Sequence, residues 1–184
     1  MPGRALTDES KIKRGYGIVD MSAPWKYEPW IHVRELCSGS GRRHIVSDLK
    51  YPERKIHLLS DLELSVYYML RQNLQVLELF EQYPLDLEKT LEICEEVNVR
   101  HPVNPKTANY SIMTTDFLAV VSVNGVTEYR AYAVKTTGEL RDVRVLEKLK
   151  IEQLYWNSKN VPWSVITEQH VEKRKEVEVH ELSI

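Results

Sequence analysis

Between Ser60 and Asn73 the apolar positions Leu62, Val66, Met69 and Leu70 recur every three or four residues, in SDLELSVYYMLRQN. That spacing predicts a helix with one buried face. Ser60 and Glu63 form an S-x-x-E capping box at its start. The pattern then changes. VLELFEQYPL, residues 76–85, is a short apolar-rich run halted by Pro84, and reads as a strand. DLEKTLEICEEVNV, residues 86–99, returns to helical spacing, and 101–105 is loop. From Met113 to Lys135 two strand-like runs flank Asn124-Gly125, the dipeptide that favours a tight type I′ hairpin turn. A long helix follows over about 139–159, with Val145, Leu149 and Trp156 on one stripe, and WSVITE, 163–168, reads as a last core strand. The order helix, strand, helix, hairpin, helix, strand predicts an α/β domain whose mixed central sheet is flanked by helices.

Patterning is weaker at both ends. Residues 1–23 read as loose, with scattered charge and Gly15 and Gly17. APWKYEPWIHVREL then offers Trp25, Tyr27 and Trp30 either as anchors on a core or as a stacking surface. Residues 37–43, CSGSGRR, form a glycine–serine loop ending in arginines, without P-loop spacing. The tail from Gln169 is charged with sparse valines, and reads as an edge strand or as disordered.

Composition narrows the class. With 184 residues, 42% hydrophobic and 28% charged, the chain suits one domain with a real core. No apolar stretch approaches the ~20 residues that span a bilayer, so no membrane partner is expected. The N-terminus lacks a signal-peptide core, which makes the cytoplasm the expected location. Cys37 and Cys94 are too far apart for a CxxC site, and no histidines show HxH or HExxH spacing. Net charge is −2, yet the first sixty residues hold eleven Lys and Arg against seven Asp and Glu. Lys11, Lys13, Arg14, Arg42, Arg43, Arg54 and Lys55 therefore offer a phosphate-contacting surface, against the alternative of a solvated, partly disordered terminus.

The hairpin carries the candidate chemistry. Asp116 opens one strand and Lys135 closes the other, so a formed hairpin brings them together. A carboxylate there can hold a divalent metal against a phosphate. A neighbouring lysine can orient or help deprotonate a water and balance developing charge. This is the logic of PD-(D/E)xK nucleases; the other reading is a surface ion pair or strand-edge gatekeeping. The acid expected two residues before the lysine is replaced by Ala133, so a further carboxylate is needed. Glu63 is one candidate, its alternative being the reciprocal capping-box bond. Glu152, beside the apolar stripe of the long helix, is another, its alternative being a salt bridge at the core margin. Glu147 lies on the other side of that helix and ranks lower.

The blocks HLLSDLELSVYYML, LELFEQYPL, YSIMTTDFLAV, YAVK, LEKLKIEQLYW and WSVITE, with the upstream GYGIVDMSAPWKYEPWIHVRELCSGSGRRHIV, resemble the TnsA family over about residues 15–168. These are endonuclease subunits of heteromeric transposases. The resemblance implies a restriction-endonuclease-like core with catalytic residues at Glu63, Asp116, Lys135 and Glu152. It implies magnesium, with manganese able to substitute, held by Glu63, Asp116, the Val134 carbonyl and Glu152. It implies cleavage of double-stranded DNA at the 5′ ends of a transposon in the bacterial cytoplasm and nucleoid. The implied partners are a TnsB-like DDE transposase, which cuts the 3′ ends, and a TnsC-like AAA+ ATPase. The division expected is 1–55 as a basic N-terminal arm and loop region, 56–168 as nuclease core and 169–184 as charged C-terminal tail, without a C-terminal winged-helix domain. Two rivals stay open: a non-catalytic assembly subunit of a transposase, and a phage-type structure-specific nuclease on the same fold.

Overall fold

The computed structural model describes residues 6–35, 41–104 and 107–181, with side chains up to residue 174. Helix α1 (Asp8–Lys13) precedes two short 3-10 turns and a two-stranded antiparallel hairpin, β1 (His44–Ser47) and β2 (Lys55–Leu58). Then come α2 (Asp61–Gln72), β3 (Val76–Pro84), α3 (Leu87–Glu96), β4 (Thr114–Val123), β5 (Val126–Val134), α4 (Val143–Ser158), β6 (Trp163–Ile166) and α5 (Glu168–Glu181). The central sheet has the order β3-β4-β5-β6. β3, β4 and β5 are antiparallel, and β6 returns parallel to β5 through the α4 crossover. The mixed α/β class read from the pattern is the class observed.

Local chemistry sets these elements. Ser60 Oγ accepts the Glu63 N–H at 3.0 Å and starts α2. Asp86 caps α3 through the Lys89 N–H, and Asp142 caps α4 through the Arg144 and Val145 N–H groups. Each cap satisfies a donor that the first helical turn leaves without a partner. At the hairpin tip Asn124 and Gly125 have φ of 51° and 80°, the two left-handed residues a type I′ turn requires.

Two apolar layers enclose the sheet. On one face Leu79, Phe117, Ala119, Val121 and Val134 pack with Ile56 and Leu58 of β2, Val66, Tyr67 and Leu70 of α2, and Val171 of α5. On the other, Phe80, Leu118, Val120 and Ala131 meet Ile93 and Cys94 of α3, Ile151, Tyr155 and Trp156 of α4, and Tyr27. No helix among the described residues is long and apolar enough to cross a membrane.

The ends differ from the sequence reading. The tail is neither edge strand nor disordered through residue 181: it is helix α5, seated on α2 through buried Val171. His170 Nδ1 accepts the Thr167 N–H at 3.0 Å just before the helix, which gives α5 a start. From residue 6 onward the first segment is not loose either. Buried Lys11 donates to the Trp30 carbonyl and to Glu35, both at 2.6 Å. Gly17, at φ 75°, presses against Pro84 so closely that a Cβ would lie 2.2 Å from its ring. Trp30 N–H bonds the Gln82 carbonyl and Tyr27 Oη donates to the Glu81 carbonyl. Gly17, Tyr27 and Trp30 thus pack along β3, and the expected boundary at 55 and 56 falls inside β2. Residues 37–40 of the glycine–serine loop, Cys37 among them, lie outside the described residues.

Candidate active site

The hairpin closes as its register demands. Phe117 lies opposite Tyr132, so the start of β4 runs beside the end of β5. The Val134 N–H donates to Asp116 Oδ2 at 2.6 Å. Lys135 continues the parallel pairing, its N–H reaching the Ile166 carbonyl at 3.1 Å. Its Nζ then folds back and donates twice, to Asp116 Oδ2 at 3.0 Å and to the Val134 carbonyl at 2.7 Å. One ammonium therefore joins the side-chain oxygen of Asp116 to a main-chain oxygen. Burial works against the Lys135 charge, but Asp116 more than offsets it and holds the group above its usual range. Lys135 stays a cation in this arrangement.

Glu63 comes from the first turn of α2 and is 6% exposed. Its carboxylate does not close the expected capping box on the Ser60 N–H. Instead Oε2 accepts the Leu59 N–H at 2.8 Å and the Gln82 side-chain amide at 3.2 Å, while Oε1 has only Ser60 Oγ at 3.3 Å. Burial, followed by the nearby Asp116 charge, pushes its carboxyl up to about 8.

Glu152 enters from α4 and is also 6% exposed. Its Oε1 accepts the Thr115 hydroxyl at 2.6 Å and the Trp163 indole N–H at 3.0 Å. Trp156 Nε1 in turn donates to Thr115 Oγ1 at 2.6 Å. Burial, followed by the Asp116 charge, raises Glu152 to about 7. Among the described residues it forms no salt bridge at the core margin; neutral donors hold it, and one of them, Thr115, is the sequence neighbour of Asp116. Glu147 stands apart, paired with Arg144 at 2.6 Å on the outer side of α4.

Among the described residues no three His, Cys, Asp or Glu side chains form a ready-made metal cluster. The fit to a cation rests on different donors. Asp116 Oδ2 and the Val134 carbonyl already converge on one positive charge, the Lys135 ammonium. A hard divalent ion takes the same donor type and keeps several waters, so magnesium needs few protein oxygens. Ala133, fully buried in β5, adds none.

The basic candidates separate. Arg54 is 5% exposed, and its guanidinium is spent on Asp48, Glu81 and the Leu79 carbonyl. It braces the β1–β2 hairpin against β3 and has no surface to offer DNA, which corrects the sequence reading. Lys55 is exposed and reaches Ser47 Oγ, and Arg42 is exposed at the end of the glycine–serine loop. Arg43 is half-buried. Tyr155 and Trp156 belong to the core. The sequence reading missed Thr115, Trp163 and Gln82 as partners of the acids. Only the adjacency of Thr115 to Asp116 could have pointed to one of them.

Comparison with known proteins gives two matches. A family model described as the TnsA-like endonuclease N terminal matches residues 73–168. That span holds Asp116, Val134, Lys135 and Glu152, and begins after Glu63. The transposon Tn7 transposition protein TnsA of Escherichia coli is 40% identical over 145 residues, 79% of this chain and 51% of that protein. The chain thus spans about half the length of the curated relative it matches.

Proposed function

The chain belongs to the TnsA-like endonuclease family, and from that premise we propose that it is a magnesium-dependent DNA endonuclease of a transposon. It cuts phosphodiester bonds at the 5′ ends of the element during cut-and-paste transposition, beside a TnsB-like DDE transposase that cuts the 3′ ends. A TnsC-like ATPase completes the assembly, and the reaction takes place in the bacterial cytoplasm. The observation that carries the reading is the pair of hydrogen bonds that Lys135 Nζ donates to Asp116 Oδ2 and the Val134 carbonyl.

In this reading Asp116, the Val134 carbonyl and Glu63 hold the magnesium. Glu152 has one oxygen committed to Thr115 and Trp163, so any contact it makes with the ion falls to the other. Bound magnesium supplies positive charge against the scissile phosphate. Lys135, which now donates to Asp116 and the Val134 carbonyl, would turn its N–H donors to the attacking water and a phosphate oxygen. Its raised affinity for the proton supports charge stabilisation and orientation of water rather than proton abstraction. Glu63 would hold the ion as its carboxylate, with its proton lost to solvent, since only the ionised form is a strong ligand. Arg42, Arg43 and Lys55 lie along the DNA backbone.

Strand-resolved cleavage of a labelled transposon end, with the partner transposase and magnesium, tests this reading. It expects cuts at the 5′ end that need this chain. An assembled complex without 5′ cuts would favour the assembly-subunit rival. Cutting of branched DNA by the chain alone would favour the structure-specific nuclease.

A further inference from the structure

Gln82 lies inside β3 with φ 48°, a left-handed conformation that residues other than glycine rarely take in a strand. The ladder holds on both sides, Glu81 opposite Phe117 and Tyr83 opposite Thr115. The strained residue is therefore the one facing Asp116. Its side chain is 1% exposed and satisfied at both ends. Nε2 donates to Glu63 Oε2 at 3.2 Å, and Oε1 accepts the Thr114 hydroxyl at 3.1 Å. The carboxylate fixes which way the amide points, because exchanging its oxygen and nitrogen would set two acceptors against each other.

The strain has a geometric use. In a regular strand, neighbouring side chains point to opposite faces. Here Glu81 reaches Arg54 and the His57 N–H, while Gln82 reaches Glu63 of α2. β2 and α2 pack on the same face of the sheet. The left-handed turn at Gln82 is what sends its amide to the same side as Glu81, onto the buried acid.

We propose that Gln82 is the positioning residue of the metal site. Its amide and the Leu59 N–H pin Glu63 Oε2, which leaves Oε1 as the oxygen offered to the ion. Thr114, two residues before Asp116, locks the amide from the other end and ties the two acidic elements together. The inference rests on the magnesium reading above.

Mn2+ binding to the purified full chain, followed by the paramagnetic resonance signal of the free ion, tests it without any cleavage assay. Gln82→Met keeps the volume and deletes the amide. It is expected to weaken Mn2+ binding about tenfold or more, as loss of a group that orients a ligand does. A purely packing role would lower the melting temperature and leave the affinity of the folded protein unchanged. Glu63→Gln serves as the reference. If it abolishes binding while Gln82→Met stays within about twofold of wild type, the inference is overturned. If Glu63→Gln itself binds Mn2+ like wild type, the metal reading falls and takes this inference with it. Should Gln82→Met fail to fold, Thr114→Val decides, since it frees one end of the amide without substituting any residue of β3. Weakening beyond about twofold supports the inference, and wild-type affinity overturns it.

Discussion

Glu63 is held where its charge is expensive. It is buried beside Asp116, and its carboxyl rises from 4.5 to about 8. A carboxyl raised in the folded state penalises folding once the pH passes its unfolded value, and fully once it passes the folded one. At neutral pH Glu63 therefore destabilises the metal-free protein. Glu63→Gln should raise stability in urea by about 1 kcal/mol or more, while 5′ cleavage is lost. A variant less stable than wild type would mean that the carboxylate is structural. Lys135→Ala has the opposite character, because it leaves Asp116 with the Val134 N–H alone. Val134 shows why the missing acid at 133 need not silence the site. The oxygen that meets Lys135 there is a main-chain carbonyl, which any residue supplies.

The β1–β2 hairpin joins the core through Ile56 and Leu58, and a buried charge network braces it as well. Arg54 bonds Asp48 and Glu81, and Asp48 also takes Arg71 of α2 at 2.6 Å. All four side chains are buried to within a few per cent. Arg54→Ala would leave two buried carboxylates short of a partner and should cost about 3–5 kcal/mol in urea unfolding. A DNA contact would instead leave stability unchanged and weaken binding, and that result would restore the surface reading. Here the limits of the sequence are physical. Arg54 looked like part of a basic arm because its acid, Glu81, lies 27 residues away on another strand. HIVS and KIHL are too short for a period to stand out. By contrast, α2, α3, α4 and the β4–β5 hairpin were legible. Their caps and turn are local chemistry, and their apolar faces run long enough to show a period. Asp116 and Lys135 were legible for the same reason, since the Asn-Gly turn fixes the register that joins them. Gln82 was not: nothing in LFEQYP announces a left-handed residue. Helix α5 was not either, since the valines in its sequence are sparse and Val171 is the buried apolar residue among its described side chains.

For the molecule as a whole, the two buried glutamates couple stability to pH. In the metal-free protein Glu63 and Glu152 titrate near 8 and 7, against 4.5 when unfolded. Between those values the native state binds more protons than the unfolded one, so stability falls as pH rises. A cation that takes the ionised carboxylates displaces those protons and binds more tightly at higher pH. Saturating magnesium should therefore raise the melting temperature more at about pH 8 than at about pH 6, measured by thermal denaturation. An equal rise at both values would remove the two glutamates from the ion. The central claim, that the ends of one hairpin form a nuclease centre, is tested most directly by 5′-strand cleavage at a transposon end. Wild type is compared with Asp116→Ala and Lys135→Ala in the presence of the partner transposase and magnesium. Both variants should lose 5′ cutting by about a hundredfold or more, with 3′ cutting by the partner retained. Undiminished 5′ cutting by either variant would contradict the account and place the chemistry elsewhere.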